Sequence, residues 1–305
     1  MYRLIIVVSV LFILNSSSLL GEWIAIDDSL ITTFNDTTGD RRTVASFQIT
    51  NYPKKYVKSL RNALDVYSYD SINDVIYFSM EQRTYSICKI LKYDVKTKQT
   101  YQSDQINQFL VDYIQYNSKS DKLYAIIHMY KDQLHVKLVE IDKQTFTVSK
   151  EIADIEYLGS PMSGSYFDQQ RQLFTYHAYD NNQSSTVLVT LNLAKNAKQI
   201  VVNSKQFDYN VFGFGYSGDT TQRLVALWQY SIIRPLVCIQ LDYKTGKQRK
   251  NVTITPDTIR IRQGYQPFAI DQQNRQFFVI TATDNLQTTY LIKVNIDTLQ
   301  VQTEE

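Results

Sequence analysis

The feature that most constrains the fold is a unit of about 50 residues, a length typical of propeller repeats, that returns along the chain. Its clear copies are anchored on Asp70, Asn117, Asp168, Asp219 and Asp271, at intervals of 47, 51, 51 and 52 residues. In each copy an apolar strand leads into the anchoring turn, and a second strand, a polar hairpin and a third strand follow. A fixed period with four strands to the unit predicts an all-β chain folded as a β-propeller.

A sixth, degenerate copy precedes the five clear ones. In it, residues 23–26 are predicted as the innermost strand and residues 44–50 as the third strand. Six units account for the chain, so we predict six blades in one domain, with seven as the alternative and five less favoured. A chain of this length buries a large core as one propeller domain.

The repeated Asp residues have two interpretations, a ligand set or a set of structural turns. Asp and Asn readily accept hydrogen bonds from backbone N–H groups of their own turn, and one copy per unit fits that role. A second Asp closes the third strand in four of the five units, at Asp94, Asp142, Asp242 and Asp297. We expect both sets to stabilise turns.

The turn pattern, an apolar residue and Asp followed after five intervening residues by three apolar residues, resembles the blades of NHL, YVTN and gluconolactonase-type propellers. The resemblance covers the predicted propeller domain at the level of the fold. Its implication is a lumenal or extracellular propeller, and these families differ in function. The fold therefore leaves the activity open.

The N-terminus is typical of a secretory signal. Arg3 precedes an apolar run at residues 4–14, and small residues follow at 16–18. The run is shorter than the roughly 20 residues of a bilayer span, which favours a cleaved signal over an anchor. We predict a signal peptide at residues 1–21, a propeller domain at 22–305, and a protein that is secreted or held in a secretory-pathway lumen.

Charge and sequons agree with that destination. The formal net charge is only +2, which gives no long-range attraction to nucleic acid or to anionic membrane surfaces. Sequons for N-glycosylation occur at Asn35, Asn182 and Asn251. Cys88 and Cys238 lie on third strands three units apart, so we predict two free thiols and no disulfide.

The sequence carries no recognisable catalytic constellation. Its three histidines, His128, His135 and His177, form no metal-ligand pair, and no Gly-x-Ser-x-Gly elbow is present. His128 and His177 occupy nearly corresponding places in adjacent units, which would allow them to approach each other. We favour the simpler interpretation that they are rim histidines.

Polar residues near the starts of the innermost strands are the better candidates for a site. Ligands of propellers usually meet the mouth of the central channel, where these strands begin. The predicted ligand-binding residues are Asp65, Asp112, Asp208, Asn210, Arg262 and Gln266. Converging carboxylates would bind Ca²⁺ or act as acid and base, although solvated loop carboxylates are the more common outcome.

The leading functional hypothesis is a secreted, non-enzymatic propeller that binds an extracellular protein or glycan, without a cofactor. The alternative is a Ca²⁺-dependent hydrolase of the lactonase or esterase type, with carboxylates at the central channel. A purely structural part of the extracellular matrix is a third hypothesis. Several carboxylate or amide oxygens at the channel mouth would favour the hydrolase.

Overall fold

The computed structural model describes residues 9–11, 22–27, 30–35, 41–46, 67–70, 72–82, 87–104, 106, 108–129, 136–155, 161–180, 185–195, 198–203, 211–216, 223–228, 235–242, 245, 247–254, 268–271, 276–282 and 289–304. Nearly all of these residues lie in strands or in the turns that join them, and a single turn of 3-10 helix covers Leu193–Lys195.

Within these residues, the strands pair into six antiparallel sheets of four strands each. The first sheet holds β1 (Ser9–Leu11), β2 (Glu22–Asp27), β3 (Leu30–Asn35) and β4 (Arg41–Ser46). The second holds β5 (Tyr67–Asp70), β6 (Val75–Gln82), β7 (Ile87–Asp94) and β8 (Gln99–Gln102). The third holds β9 (Phe109–Asn117), β10 (Lys122–Met129), β11 (Val136–Ile141) and β12 (Val148–Ile155).

The remaining strands repeat the pattern. The fourth sheet holds β13 (Pro161–Asp168), β14 (Leu173–Asp180), β15 (Ser185–Asn192) and β16 (Lys198–Asn203). The fifth holds β17 (Val211–Tyr216), β18 (Arg223–Trp228), β19 (Val237–Asp242) and β20 (Gln248–Thr253). The sixth holds β21 (Phe268–Asp271), β22 (Gln276–Ala282), β23 (Thr289–Asn295) and β24 (Val301–Glu304).

The first strands of the sheets lie side by side in chain order. β5 contacts β9, β9 contacts β13, β13 contacts β17, β17 contacts β21, and β21 contacts β1. Each sheet is an up-and-down meander whose strands follow one another in the chain. This is the arrangement of propeller blades around an axis, and the predicted all-β propeller fold is confirmed. The blade number of the whole chain stays a prediction, which the six described sheets support.

The first sheet differs from its predicted strand assignment. Residues 23–26 belong to β2, the second strand of that sheet, and not to its innermost strand. The first strand is β1, which pairs with β2 through Val10 opposite Ala25. β1 lies within the apolar run that the sequence predicts as part of a signal peptide, and an apolar run of strand-forming residues is also suited to a buried strand. The predicted signal peptide stays a prediction.

The core fills the spaces between neighbouring sheets. Between the third and fourth sheets, Ile126 and Val136 pack in one cluster with Phe174 and Val189, all fully buried or nearly so. Similar apolar clusters join the second sheet to the third and the fifth to the sixth. Strands covered on both faces need apolar side chains in both directions, which explains the abundance of β-branched and aromatic residues in the second and third strands.

In the second, third and fourth sheets, the turn after the first strand is held by its Asp or Asn. Asp70 Oδ1 accepts hydrogen bonds of 3.0 Å from the backbone N–H groups two and three residues ahead. Asp168 Oδ1 does the same at 2.9 and 3.0 Å, and Asn117 Oδ1 accepts one bond of 3.0 Å. The structural role predicted for the repeated Asp is confirmed at Asp70 and Asp168, while Asp219 lies outside the described residues.

The turn after the third strand uses the same chemistry. Asp94, Asp142 and Asp242 each accept a hydrogen bond from the backbone N–H three residues ahead, at 2.7, 2.7 and 3.0 Å. In the sixth sheet the residue that accepts is Asn295 and not the predicted Asp297, which is exposed within the turn. The amide oxygen of Asn295 takes the position that a carboxylate oxygen has elsewhere.

Candidate functional site

In the third, fourth and fifth sheets, the pairing between the first and second strands is interrupted at a similar distance from the turn. In the third sheet, Ile126 pairs with Tyr113 and Ile127 pairs with Val111, so Asp112 is the extra residue of a β-bulge. The fourth and fifth sheets have register shifts at the same distance from their turns. Bulges bend a strand and redirect its side chains, and they are common beside functional sites.

The bulge places Asp112 beside a histidine. The Oδ2 atom of Asp112 lies 3.7 Å from Nδ1 of His128, and their side chains are 5% and 16% exposed. His128 pairs with Val136, which belongs to the cluster between the third and fourth sheets, so the imidazole lies on that face. The two polar groups thus lie at the edge of an otherwise apolar interface.

Two tyrosines form the inner part of the same interface. Tyr113 of the third sheet and Tyr176 of the fourth have ring centroids 5.5 Å apart with an interplanar angle of 43°. We call Asp112, Tyr113, His128 and Tyr176 the Asp112 seam. The hydroxyl of Tyr113 donates a 3.0 Å hydrogen bond to the carbonyl oxygen of His177 and so joins the two sheets directly.

The hydroxyl of Tyr176 is fully buried and has no hydrogen-bond partner among the described residues. Burial raises the pKa of this hydroxyl well above its usual value, and the negative charge of Asp112 raises it further. Tyr176 is therefore a neutral donor near a carboxylate. The seam presents a hydrogen-bond acceptor at Asp112, a donor at Tyr176, and at His128 a group that does either.

His128 and His177, whose places in adjacent units would allow them to approach each other, face in different directions. Tyr176 pairs with Val189, which lies in the cluster facing the third sheet, and the next residue, His177, pairs with Leu188 on the opposite face. Side chains alternate along a strand, so His177 faces away from the seam. It is fully buried, and so the interpretation of rim histidines is wrong for His177. Burial lowers its pKa to about 4.

Five of the six predicted site residues lie outside the described residues: Asp65, Asp208, Asn210, Arg262 and Gln266. Of this set, the structure describes Asp112 alone, and it brings Asp112 together with His128 and Tyr176. Neither of these was in the predicted set. Because side chains alternate along a strand, the sequence places His128 on the same face of β10 as Tyr124 and Ile126. The bulge that turns Asp112 toward that face cannot be predicted from the sequence.

The remaining predicted features are distributed over the sheets. Asn251 lies exposed on the outer strand β20, Asn35 is the last residue of β3, and Asn182 lies outside the described residues. Cys88 and Cys238 are buried free thiols, and burial raises the pKa of Cys238 to about 12. The described part of the chain contains no group of three or more His, Cys, Asp or Glu side chains suited to a metal ion. None of its helices has the length and apolarity that a membrane crossing requires.

Neither the comparison with protein families nor the comparison with curated proteins finds a match. Solved structures do match in fold. The structure of a nidogen/laminin complex matches with a TM-score of 0.53 and 14% identity, over 81% of this chain and 79% of that one. A Bacteroides uniformis protein provisionally assigned as a 6-phosphogluconolactonase has a TM-score of 0.55 and 10% identity, over 96% and 80%.

An oligogalacturonate lyase in complex with manganese matches with a TM-score of 0.52 and 10% identity, over 88% of this chain and 73% of that one. At these identities the likeness concerns the fold alone. The fold-level resemblance to propellers is confirmed. Because the matching structures include both a protein complex and enzymes, the fold leaves the function of this chain open.

Proposed function

We propose that this protein is a secreted, non-enzymatic propeller that binds an extracellular protein or carbohydrate, with the Asp112 seam as part of its binding surface. The observation that carries the proposal is the position of Asp112. A bulge turns its carboxylate into the edge of an apolar interface, 3.7 Å from the partly exposed His128. Burying a carboxylate is unfavourable, and an apolar residue would pack there at lower cost. Such a polar group is best explained by a role in binding.

The position of Asp112 within the repeat supports the same proposal. It stands five residues before the anchoring Asn of its unit, and Asp65, Ser163 and Gln266 stand five residues before the anchoring Asp of theirs. These four are polar, whereas the corresponding residue in the unit anchored on Asp219 is Phe214. We propose that Asp65 and Gln266 extend the binding surface around the axis, together with the predicted Asp208, Asn210 and Arg262.

Among the matching structures, the nidogen/laminin complex is a propeller protein bound to another protein. By analogy, we propose that this chain binds a protein partner on one face of the propeller. We further propose that residues 1–21 are removed during secretion, which would also remove β1 from the first sheet, and that Asn251, exposed on an outer strand, carries an N-linked glycan. A secreted glycoprotein meets its partners outside the cell or in a lumen of the secretory pathway.

The proposal is tested on the full chain expressed with its own leader and purified from the medium. Its N-terminus is determined by sequencing, and we expect it between Leu19 and Glu22. The purified protein is then screened against an array of extracellular glycans and a panel of cell-surface proteins. Asp112→Asn is the test variant, and Asp104→Asn, which removes an exposed carboxylate of the second sheet, is the matched control.

We expect wild type and Asp104→Asn to bind the same ligand and Asp112→Asn to bind it weakly or not at all. Equal binding by Asp112→Asn would exclude the seam from the binding surface. A protein that stays inside the cell, with residues 1–21 still present, would contradict the proposed secretion.

A further inference from the structure

We infer that the Asp112 seam recognises a sugar hydroxyl, which makes a carbohydrate the ligand of this surface. The inference rests on the proposed binding function and selects one of its two ligand classes. Its physical basis is the hydrogen-bonding capacity of three side chains that the fold brings together: Asp112, His128 and Tyr176.

The first observation is the unpartnered hydroxyl of Tyr176. It is fully buried at the interface of two sheets and makes no hydrogen bond to any described residue. Buried polar groups are almost always hydrogen-bonded, so an unpartnered one calls for an explanation, such as a bound water, ion or ligand. Phe would fill the same volume without an unpaired polar atom, so packing does not explain the hydroxyl.

The second observation is that the partners around Tyr176 have opposite hydrogen-bonding roles. The carboxylate of Asp112 only accepts, and the Tyr176 hydroxyl, which its raised pKa keeps protonated, donates. A ligand group that satisfies both side chains donates to Asp112 and offers an acceptor for the hydroxyl proton of Tyr176. A hydroxyl does both.

Other common ligand groups fit less well. An ammonium or guanidinium group would donate to Asp112 but offers no acceptor for the hydroxyl proton of Tyr176. A phosphate or carboxylate would accept from Tyr176 but would be repelled by the negative charge of Asp112. The arrangement therefore favours an uncharged, hydroxylated ligand over a basic or acidic side chain of a protein.

Burial increases inward along the seam. The His128 side chain is 16% exposed and that of Asp112 is 5% exposed, while Tyr176 is fully buried. A single hydroxyl or hydroxymethyl group of a sugar would extend toward the buried Tyr176, while the sugar ring would remain beside the more exposed His128. The imidazole would then bond a second hydroxyl of the same sugar.

The test uses the secreted full-length protein and a panel of methyl glycosides of neutral monosaccharides, each paired with its monodeoxy analogues. Binding is measured by calorimetry or ligand-observed NMR for wild type, Tyr176→Phe and the control Tyr101→Phe, which alters an exposed tyrosine of the second sheet. Melting temperatures of the three proteins without ligand are measured in parallel.

We expect a methyl glycoside to bind wild type, and one deoxy analogue to bind about tenfold more weakly, as expected for the loss of one hydrogen bond. Tyr176→Phe should lose a similar factor while its melting temperature stays the same or rises, because the hydroxyl that it removes has no partner. Tyr101→Phe should bind like wild type.

The possible outcomes separate this inference from the proposed function. Equal glycoside binding by Tyr176→Phe, or a lower melting temperature for that variant, would overturn the assignment of the hydroxyl to a ligand. Binding of a protein partner but of no glycoside would overturn the carbohydrate inference and leave the binding module intact. No binding to either panel would overturn both.

Discussion

The hydroxyl of Tyr113, on the innermost strand of the third sheet, donates a 3.0 Å hydrogen bond to the carbonyl oxygen of His177 on the second strand of the fourth sheet. The bond crosses the boundary between two sheets whose other contacts in this region are mainly apolar. It adds a directional contact to the packing that holds Tyr113 against Tyr176.

Replacing Tyr113 by Phe should destabilise the protein. The variant leaves the carbonyl of His177 buried without this donor, and an unpaired buried polar group costs about 1–3 kcal/mol. Urea denaturation of Tyr113→Phe measures the loss, with Tyr101→Phe, whose hydroxyl is exposed, as the control expected to lose under about 0.5 kcal/mol. Equal stability of the two variants would show that the bond across the sheets contributes little.

His177 should make the stability fall in mild acid. Its pKa is about 4 in the folded protein and near the usual 6.5 in the unfolded chain, so the unfolded state binds a proton first as the pH falls. Its contribution is fully present above pH 6.5 and is lost as the pH falls toward 4. The predicted loss is at most roughly 3 kcal/mol.

The measurement is the free energy of unfolding of wild type and His177→Leu between pH 7 and pH 4. The carboxylates act equally in both proteins, so the difference between the two curves isolates His177. We expect the wild-type curve to fall more steeply over this range. Parallel curves would mean that His177 becomes protonated in the folded protein without cost.

Asp70 should be the most sensitive of the turn residues. It is fully buried, and its carboxylate accepts two backbone hydrogen bonds as well as one of 2.8 Å from the side chain of Asn73. Hydrogen bonds to a charged group are worth about 1.5–3 kcal/mol each, so Asp70→Ala should lose at least about 2 kcal/mol in thermal or urea unfolding. The control Asp121→Ala removes a carboxylate that is 59% exposed and should lose less. The opposite order would contradict the structural role of the repeated Asp.

The effect of Ca²⁺ on stability distinguishes the proposed binding module from the alternative, a lactonase-like hydrolase. Asp112 lies beside His128, and imidazole nitrogen is not a ligand that Ca²⁺ prefers. The binding module therefore predicts the same melting temperature for the secreted protein in Ca²⁺ and in chelator. A rise of several degrees with Ca²⁺ would reveal binding to the folded state and would favour the hydrolase.

The repeat was sufficient to predict the propeller fold and the role of its turns. A four-strand unit buries its apolar faces only against copies of itself, and a turn Asp bonds atoms two and three residues away. These are local relations, so they can be read from the order of residues. The same locality makes the turn role of Asp70 and Asp168 predictable from the sequence alone.

The site depended on relations between strands that the order of residues does not encode. The register of β9 against β10 decides that Asp112 is the bulge residue, and the packing of the fourth sheet on the third brings Tyr176 beside it. A one-residue change of register reverses which face a side chain occupies. The same physics separates His128 from His177 and makes β1 the first strand of its sheet. The repeat along the sequence determined the architecture. The pairing of strands and the packing of neighbouring sheets, which only the tertiary structure shows, brought the residues of the Asp112 seam together.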